Sequence, residues 1–145
     1  MDRVEQIVKE ISMLMPKMMR RMHRGNIAYS DIPISQLTIM MAVAEQGTTQ
    51  ATKLCKEMKV SAPSITGIVD RLVRTKYIRR TPDKKDRRVI NLTLTEKGQR
   101  EIKTLRDRMC NRWKSILMEL TPEDREVYLS LMKKILVILE KENGS

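Results

Sequence analysis

The spacing of apolar residues predicts a long helix at the start of the chain. Apolar residues recur there at helical intervals: Val4, Ile7, Val8, Ile11 and Met15. Pro16 interrupts this pattern, but Met18, Met19 and Met22 continue it. A kinked helix is therefore favoured over one that ends at the proline. Residues 25–33, GNIAYSDIP, then indicate a connection.

Three helices are predicted after this connection. The apolar stripe of the second helix consists of Leu37, Met40, Met41 and Ala44. Further apolar residues flank that stripe, which is typical of a buried helix, and Gly47 ends it. We expect a third helix over residues 49–58, with Thr49 as its cap, and a fourth from Ser61 to about Lys76. Two helices joined by a tight turn form the outline of a helix-turn-helix.

Two short strands and two long helices follow. Residues 77–80 and 89–95 predict a β-hairpin whose tip is the charged segment TPDKKDRR, and Thr95 caps a fifth helix. Thr121 and the proline after it start a last helix that is apolar on more than one face, which suggests a partner subunit. The predicted fold is mainly α, with a small β-hairpin.

Charge changes this picture because it is concentrated around the helix-turn-helix and the hairpin. The formal net charge is +11 and the pI is about 10.0. Residues 71–88 hold nine basic and two acidic residues, which is +7 of that total. A charge run is usually a solvated face, but here it coincides with a DNA-binding outline. The pattern therefore favours a nucleic-acid partner.

Features of an enzyme or a membrane protein are scarce. His23 is the single histidine, no Cys or His cluster has metal-ligand spacing, and no glycine-rich phosphate loop occurs. We expect no enzyme, metal or cofactor. The charged N-terminus is not a signal peptide, and the longest uncharged run, residues 32–44, is shorter than the roughly 20 residues of a membrane span. A cytoplasmic protein without a membrane partner is expected, and Cys55 and Cys110 fit a reducing compartment as core residues.

The first turns of the fourth helix would enter a DNA major groove. Ser64 and Thr66 can bond base edges, and Ala62 and Pro63 can touch thymine methyls. Gly67 costs a helix about 1 kcal/mol relative to alanine, so it implies either close approach to DNA or a packing constraint. The arginines better suited to phosphates are Arg71, Arg74, Arg79 and Arg80. The predicted DNA-binding residues are Ser61, Ala62, Pro63, Ser64, Thr66, Gly67, Arg71, Arg74, Lys84, Lys85, Asp86, Arg87 and Arg88.

Two segments resemble the winged helix-turn-helix core of the MarR family of transcriptional regulators. They are VSAPSITGIVDRL, residues 60–72, and DRRVINLTLTEKG, residues 86–98. The resemblance implies a homodimer that binds pseudo-palindromic double-stranded DNA, often as a repressor, with Arg88 in the minor groove and Asp86 holding it. Two positions apart on a strand, these side chains would share a side. Asp83 receives no role beyond shaping the turn. The implied division is a dimerisation helix (1–30), a winged core (31–98) and C-terminal dimerisation helices (99–145).

The resemblance also raises the question of a ligand. Many members release DNA when a small aromatic or phenolic anion binds, and methionines would form an adaptable wall for one, although an ordinary core explains them as well. The candidate effector-pocket residues are Met15, Met18, Met22, Met40 and Met41. Lys76 stands where the family usually has glycine. It must either adopt a positive φ, at about 1 kcal/mol, or belong to a different turn.

Two other functions fit the same charge. A nucleoid-architectural protein would bind DNA without sequence preference and give a uniform footprint. An RNA-binding winged helix would prefer RNA over duplex DNA in a competition experiment.

Overall fold

The computed structural model describes residues 2–22 and 30–143, and its compact units are Met1–Asp31 and Ile32–Ser145. The first unit consists of helix α1 (Arg3–Met22). Pro16 lies inside α1 without ending it, as predicted, and none of the residues of α1 is buried. His23 and most of the predicted connection lie outside the described residues.

The second unit carries the remaining elements. In chain order they are α2 (Ile34–Gln46), β1 (Thr49–Gln50), α3 (Ala51–Met58), α4 (Ala62–Arg74), β2 (Ile78–Pro82), β3 (Ile90–Leu94), α5 (Glu96–Met118) and α6 (Pro122–Asn143). No helix of the described residues is long and apolar enough to cross a membrane.

Hydroxyl side chains define three helix starts, as the sequence predicts. The Ser61 hydroxyl accepts from the Ser64 amide at 3.4 Å, and the Thr95 hydroxyl from the Gly98 amide at 3.1 Å. Thr121 accepts from the Asp124 amide at 3.2 Å. Each bond satisfies a donor that the first helical turn leaves without an intrahelical partner.

The sheet has three antiparallel strands in the order β1-β3-β2. The predicted hairpin is β2 and β3, with Ile78 opposite Leu94. The prediction for Thr49 is wrong. Thr49 neither begins nor caps a helix: it lies in β1, is buried, and pairs with Leu92 of β3. Helix α3 begins only at Ala51. Side-chain burial and pairing with β3 thus override the helical pattern at this position.

Among the described residues, the hydrophobic core lies between residues 37 and 105. Its members are Leu37, Ile39, Met40, Val43, Leu54, Ile65, Val69, Leu72, Ile78, Leu92, Ile102 and Leu105. The first turns of α5 therefore belong to the winged unit, whereas no residue of α6 up to Glu142 is buried. Helix α6 contacts α5 through the rings of Trp113 and Tyr128, whose centroids are 5.5 Å apart.

A dense junction joins the end of α4 to the start of α5. Lys76 adopts the left-handed conformation at φ 63°, so the turn that usually takes glycine is retained. The Lys97 ammonium donates to the Thr75 carbonyl at 2.8 Å and lies 4.3 Å from the centre of the Tyr77 ring. Gly98 is buried there, and a Cβ on it would lie 2.2 Å from the Tyr77 carbonyl oxygen. Only glycine fits this contact.

Candidate nucleic-acid interface

Helix α4 buries one side and leaves the predicted reading side exposed. Ile65, Val69 and Leu72 are buried in the core. The predicted contact residues of this region are all exposed: Ser61, Ala62, Pro63, Ser64, Thr66, Gly67, Arg71 and Arg74. Hydroxyls and small apolar groups thus occupy the N-terminal turns, and arginines follow towards the C-terminus. This order places groups that can read base edges ahead of groups that bind phosphates.

Packing against the described residues does not require a glycine at position 67. A Cβ built on it meets no atom within 4 Å. The packing alternative is therefore not supported, and the position is open to a ligand that approaches the helix closely. Absence of a side chain lets a surface lie against the helix backbone at this point.

The wing consists of residues 83–89, which join β2 to β3. The Arg88 guanidinium forms a two-point ion pair with Asp86: Nε donates to Oδ1 and Nη2 to Oδ2, both at 3.1 Å. These hydrogen bonds, with one from the Arg88 amide at 3.0 Å, lower the pKa of Asp86. The Arg88 side chain is nevertheless 91% exposed. The pair therefore orients the arginine without withdrawing it from solvent.

The prediction that Asp86 and Arg88 share one side of a strand is wrong, because both residues lie in the turn before β3, which starts at Ile90. Strand alternation therefore does not bring Asp86 and Arg88 together; the turn does. The other basic residues of the wing, Lys84, Lys85 and Arg87, are exposed. They add positive charge around the oriented arginine.

Asp83 fixes the shape of the turn. Its Oδ1 accepts from the amides of Lys85 at 2.8 Å and Asp86 at 3.2 Å, while Oδ2 accepts from the Asn91 side chain at 3.0 Å. The Asn91 bond is the main cause that lowers the pKa of Asp83, followed by the two amides. Asp83 thus links the turn to β3 and positions the backbone of Asp86. An Asx-turn of this kind has a sequence signal, namely Asp before two polar turn residues.

Arg80, a predicted phosphate contact, is engaged in an ion pair within the protein, and its contact with phosphate stays a prediction. Its guanidinium forms an ion pair with Asp70 on α4 and connects β2 to that helix. The residues are ten apart and lie on different elements, so no local pattern could reveal the pair. The other arginines predicted to bind phosphates, Arg71, Arg74 and Arg79, are exposed.

The methionines proposed for an effector pocket are spread over both units. On α1, Met15 and Met18 are exposed and Met22 is half-buried, while on α2 Met41 is half-buried and Met40 is fully buried in the core. A ligand could reach Met40 only if that core opened. An open cavity of about 480 Å³ lies elsewhere, between α2, β3 and α5. The effector pocket therefore stays a prediction.

The two cysteines differ in their exposure. Cys55 is half-buried, but Cys110 is exposed in the single chain, so the expectation that both are core residues is wrong for Cys110. Its position on α5 lies beyond Leu105, where the core ends. Within residues 2–22 and 30–143, no group of three His, Cys, Asp or Glu could hold a metal ion.

A helix-turn-helix with an exposed polar reading side, followed by a basic two-stranded wing, defines a winged-helix DNA-binding protein. The MarR family model matches residues 32–90. The uncharacterised helix-turn-helix transcriptional regulator YfiV of Bacillus subtilis is 28% identical over 115 residues, 77% of this chain and 72% of YfiV. Residues 32–90 therefore form a MarR-family domain, and the chain is a DNA-binding transcriptional regulator of that type.

Two solved structures share the fold at low sequence identity. A mutant of Escherichia coli MarR in complex with operator DNA has a TM-score of 0.65 and 20% identity, over 94% of this chain and 99% of that one. Bordetella bronchiseptica BpsR has a TM-score of 0.61 and 19% identity, over 92% and 93%. The DNA binding of BpsR is regulated by 6-hydroxynicotinic acid.

Proposed function

We propose that the protein is a homodimeric repressor that recognises a specific pseudo-palindromic operator and acts in the cytoplasm. The observation that carries this proposal is the oriented Arg88 of the wing, in a chain whose helix α4 leaves its reading side exposed. A free arginine loses rotamer entropy when it enters a groove, and the Asp86 pair removes part of that loss beforehand. The wing therefore suits insertion into a minor groove.

Each subunit would contact DNA in two ways. Ser64 and Thr66 would bond base edges in the major groove, while Arg71, Arg74 and the wing lysines would bind phosphates. Two copies of α4 would lie about 34 Å apart, one turn of the duplex, to read adjacent major grooves.

The homodimer is supported by apolar surface at both ends of the chain. Helix α6 exposes large apolar side chains on several sides: Val127, Leu129, Leu131, Met132, Ile135, Leu136, Val137, Ile138 and Leu139. Helix α1 exposes a further apolar stripe. Exposed apolar side chains in such number on one helix are typical of a subunit interface. The proposed roles are dimerisation by residues 1–30 and 99–145, with DNA binding by residues 31–98.

A small aromatic or phenolic anion is proposed as the effector that releases DNA. Regulation of BpsR by 6-hydroxynicotinic acid supports this class of ligand. The cavity between α2, β3 and α5 is lined by the apolar residues Val43 and Ile102 and by three charged residues, Lys103, Arg106 and Asp107. Lys103 forms an ion pair with Asp107 at 2.7 Å, so Arg106 is the lining cation proposed to pair with a negatively charged aromatic ligand. A ligand that binds one dimer geometry better than another shifts the population towards it.

Replacement of Arg88 tests the proposed role of the wing. We expect Arg88→Ala to weaken operator binding by roughly 1–3 kcal/mol, with an unchanged melting temperature because the side chain is 91% exposed. Arg87→Ala, which removes a neighbouring exposed charge, serves as the control and should have a smaller effect. Fluorescence anisotropy with operator DNA measures both. Equal losses in the two variants would show that charge alone acts at the wing.

Footprinting separates the regulator from its alternatives. A protected site of defined length in the DNA upstream of the gene supports the repressor, whereas uniform protection indicates a nucleoid-architectural protein. Stronger binding to RNA than to the same duplex DNA would indicate an RNA-binding winged helix.

A further inference from the structure

A second open cavity lies at the junction between α4, the hairpin and α5. It has a volume of about 750 Å³ and is lined by the end of α4 with the turn after it, by the paired ends of β2 and β3, and by the first turns of α5. Its charged lining residues, five basic and one acidic among the described residues, are Lys76, Arg79, Arg80, Lys97, Arg100 and Glu96. A cavity whose walls carry mainly one sign of charge attracts ions of the opposite sign.

Two of the five basic residues are engaged by acids. The Arg80 guanidinium forms an ion pair with Asp70 of α4. The Arg100 guanidinium lies 3.9 Å from the carboxylate of Glu96, its neighbour one turn earlier on α5. The one carboxylate found in the described lining is therefore already paired, and three basic side chains remain.

These three cations, Lys76, Arg79 and Lys97, have no acidic partner in the part of the chain that the structure describes. Lys97 donates to a neutral acceptor, the Thr75 carbonyl oxygen, at 2.8 Å and keeps its charge. None of the ion pairs within residues 2–22 and 30–143 includes Lys76 or Arg79, and both residues are exposed. Like charges that line one cavity repel one another, and a bound anion would remove that repulsion.

Contacts of the junction hold two of these cations in place. The Thr95 hydroxyl donates to the Lys76 carbonyl at 2.5 Å, which ties the turn after α4 to the start of α5. The Lys97 ammonium is fixed by its hydrogen bond to α4 and by the face of the Tyr77 ring. A solvated charged face needs no such order, whereas a binding site gains affinity when its charges are positioned before the ligand arrives.

The cavity is remote from the groups proposed to read DNA. Helix α4 has 13 residues, so its C-terminal end at the cavity is about 18 Å from its N-terminal reading turns. In the hairpin, Ile78 pairs with Leu94 at the cavity, while Pro82 is about 13 Å further along β2, next to the wing. Concave sites of this kind are typical of small ligands, whereas a duplex is convex and wide.

We propose that this cavity binds a small anion that carries a chain of two or three phosphate groups, with Lys76, Arg79 and Lys97 as its partners. Three cations without acidic partners match the several negative charges of such a chain. An arginine can donate two parallel hydrogen bonds to one phosphate, and the lysines act as point charges on its neighbours. None of these cations lines the cavity between α2, β3 and α5, so the site is independent of the proposed effector.

Isothermal titration calorimetry of the full chain with inorganic triphosphate tests the site. We expect one saturable site per chain. The affinity for orthophosphate should be at least about tenfold lower, because a single phosphate cannot contact all three cations. Adenosine triphosphate is titrated in parallel. Equal affinities for the two triphosphates would show that the phosphate chain alone is recognised, and tighter binding of the nucleotide would add a contact to its nucleoside.

Variants that remove one charge give the second arm. Lys76→Gln and Arg79→Gln keep exposed polar side chains, so the fold should be retained. Each should lower triphosphate affinity about tenfold, the effect of one charge-assisted hydrogen bond. Lys59→Gln is the matched control, because Lys59 is also an exposed lysine with a positive φ, 51°, but lies at the end of α3 and outside the cavity lining. Lys97 is kept in every variant because its ammonium also holds the junction.

Three results would overturn the site. A parent chain that binds operator DNA but shows no saturable triphosphate binding would reject the site and keep the proposed function. Equal triphosphate affinity in Lys59→Gln and Lys76→Gln would mean that binding follows net charge alone. The sequence also predicts Arg79 as a contact to DNA phosphate, so operator affinity is measured for both cavity variants. If both lose operator affinity as strongly as triphosphate affinity, the cavity is a part of the DNA interface instead.

Discussion

Two aspartates with different partners organise the wing at the level of single residues. Asp83 binds the turn backbone and Asn91, whereas Asp86 binds the guanidinium of Arg88. The first carboxylate sets the path of the chain and the second sets the direction of one side chain. Acidic residues in this basic segment therefore give the positive charge a fixed position.

The pKa shifts of these carboxylates lead to a prediction for pH. The pKa values of Asp83 and Asp86 are lowered from 3.8 by hydrogen bonds to their charged forms. Their contribution to wing order is therefore complete above that unperturbed value and is lost only as the pH falls through the lowered values. Carbon-13 titration of the carboxyl groups should give midpoints below 3.8 for both. Arg88→Ala should raise the Asp86 midpoint towards 3.8, and an unchanged midpoint would contradict the pair.

Gly67→Ala should separate stability from DNA binding. Alanine in the interior of α4 meets no neighbouring atom and should raise the free energy of unfolding by roughly 0.5–1 kcal/mol. Operator affinity should fall, because the added methyl group occupies the space proposed for the DNA. Urea unfolding and anisotropy measure the two effects. Thr104→Ala, an exposed helical site on α5, is the control. Undiminished affinity in Gly67→Ala would remove this position from the interface.

At the scale of elements, the turn that joins α4 to β2 depends on the backbone conformation of two neighbouring residues. Lys76 keeps the left-handed turn that usually takes glycine, so Lys76→Gly should stabilise the protein by about 1 kcal/mol. Thr75 has φ −84° and its hydroxyl donates to the Arg71 carbonyl at 2.8 Å, so Thr75→Gly should destabilise it instead. Chemical denaturation compares the two. Equal effects would mean that backbone conformation is not the cause.

The sequence predicts those elements whose signals are local. Ser61, Thr95 and Thr121 mark their helix starts because a cap is a contact over three residues. Strand β1 could not be predicted, because two residues are too few to show the alternation of apolar and polar side chains that marks a strand. At the site, Asp86 and Arg88 follow from a family motif. The Asp70–Arg80 pair has no signal because it depends on how β2 packs against α4.

At the scale of the whole molecule, the apolar surface of α6 predicts the oligomeric state. Leu131 and Ile135 lie one turn apart and are 51% and 55% exposed. Replacing both by glutamate should convert a dimer into a monomer, because charge is depleted in interface cores. The winged unit should keep its melting transition, since no core residue lies in α6. Light scattering gives the mass, and Lys134→Glu is the control. A dimer that persists in the double variant would exclude this surface.

The junction between α4 and α5 has a mechanical consequence. Gly98 packs against the Tyr77 carbonyl, and Lys97 is bound to the last turn of α4, so the two helices are joined rigidly. Helix α5 has 23 residues and is about 34 Å long. In the proposed dimer it would work as a lever arm. A small tilt at the C-terminal end of α5 would move α4 with it as one rigid body. The angle between the two α5 helices of the dimer would then set how the two copies of α4 meet the operator.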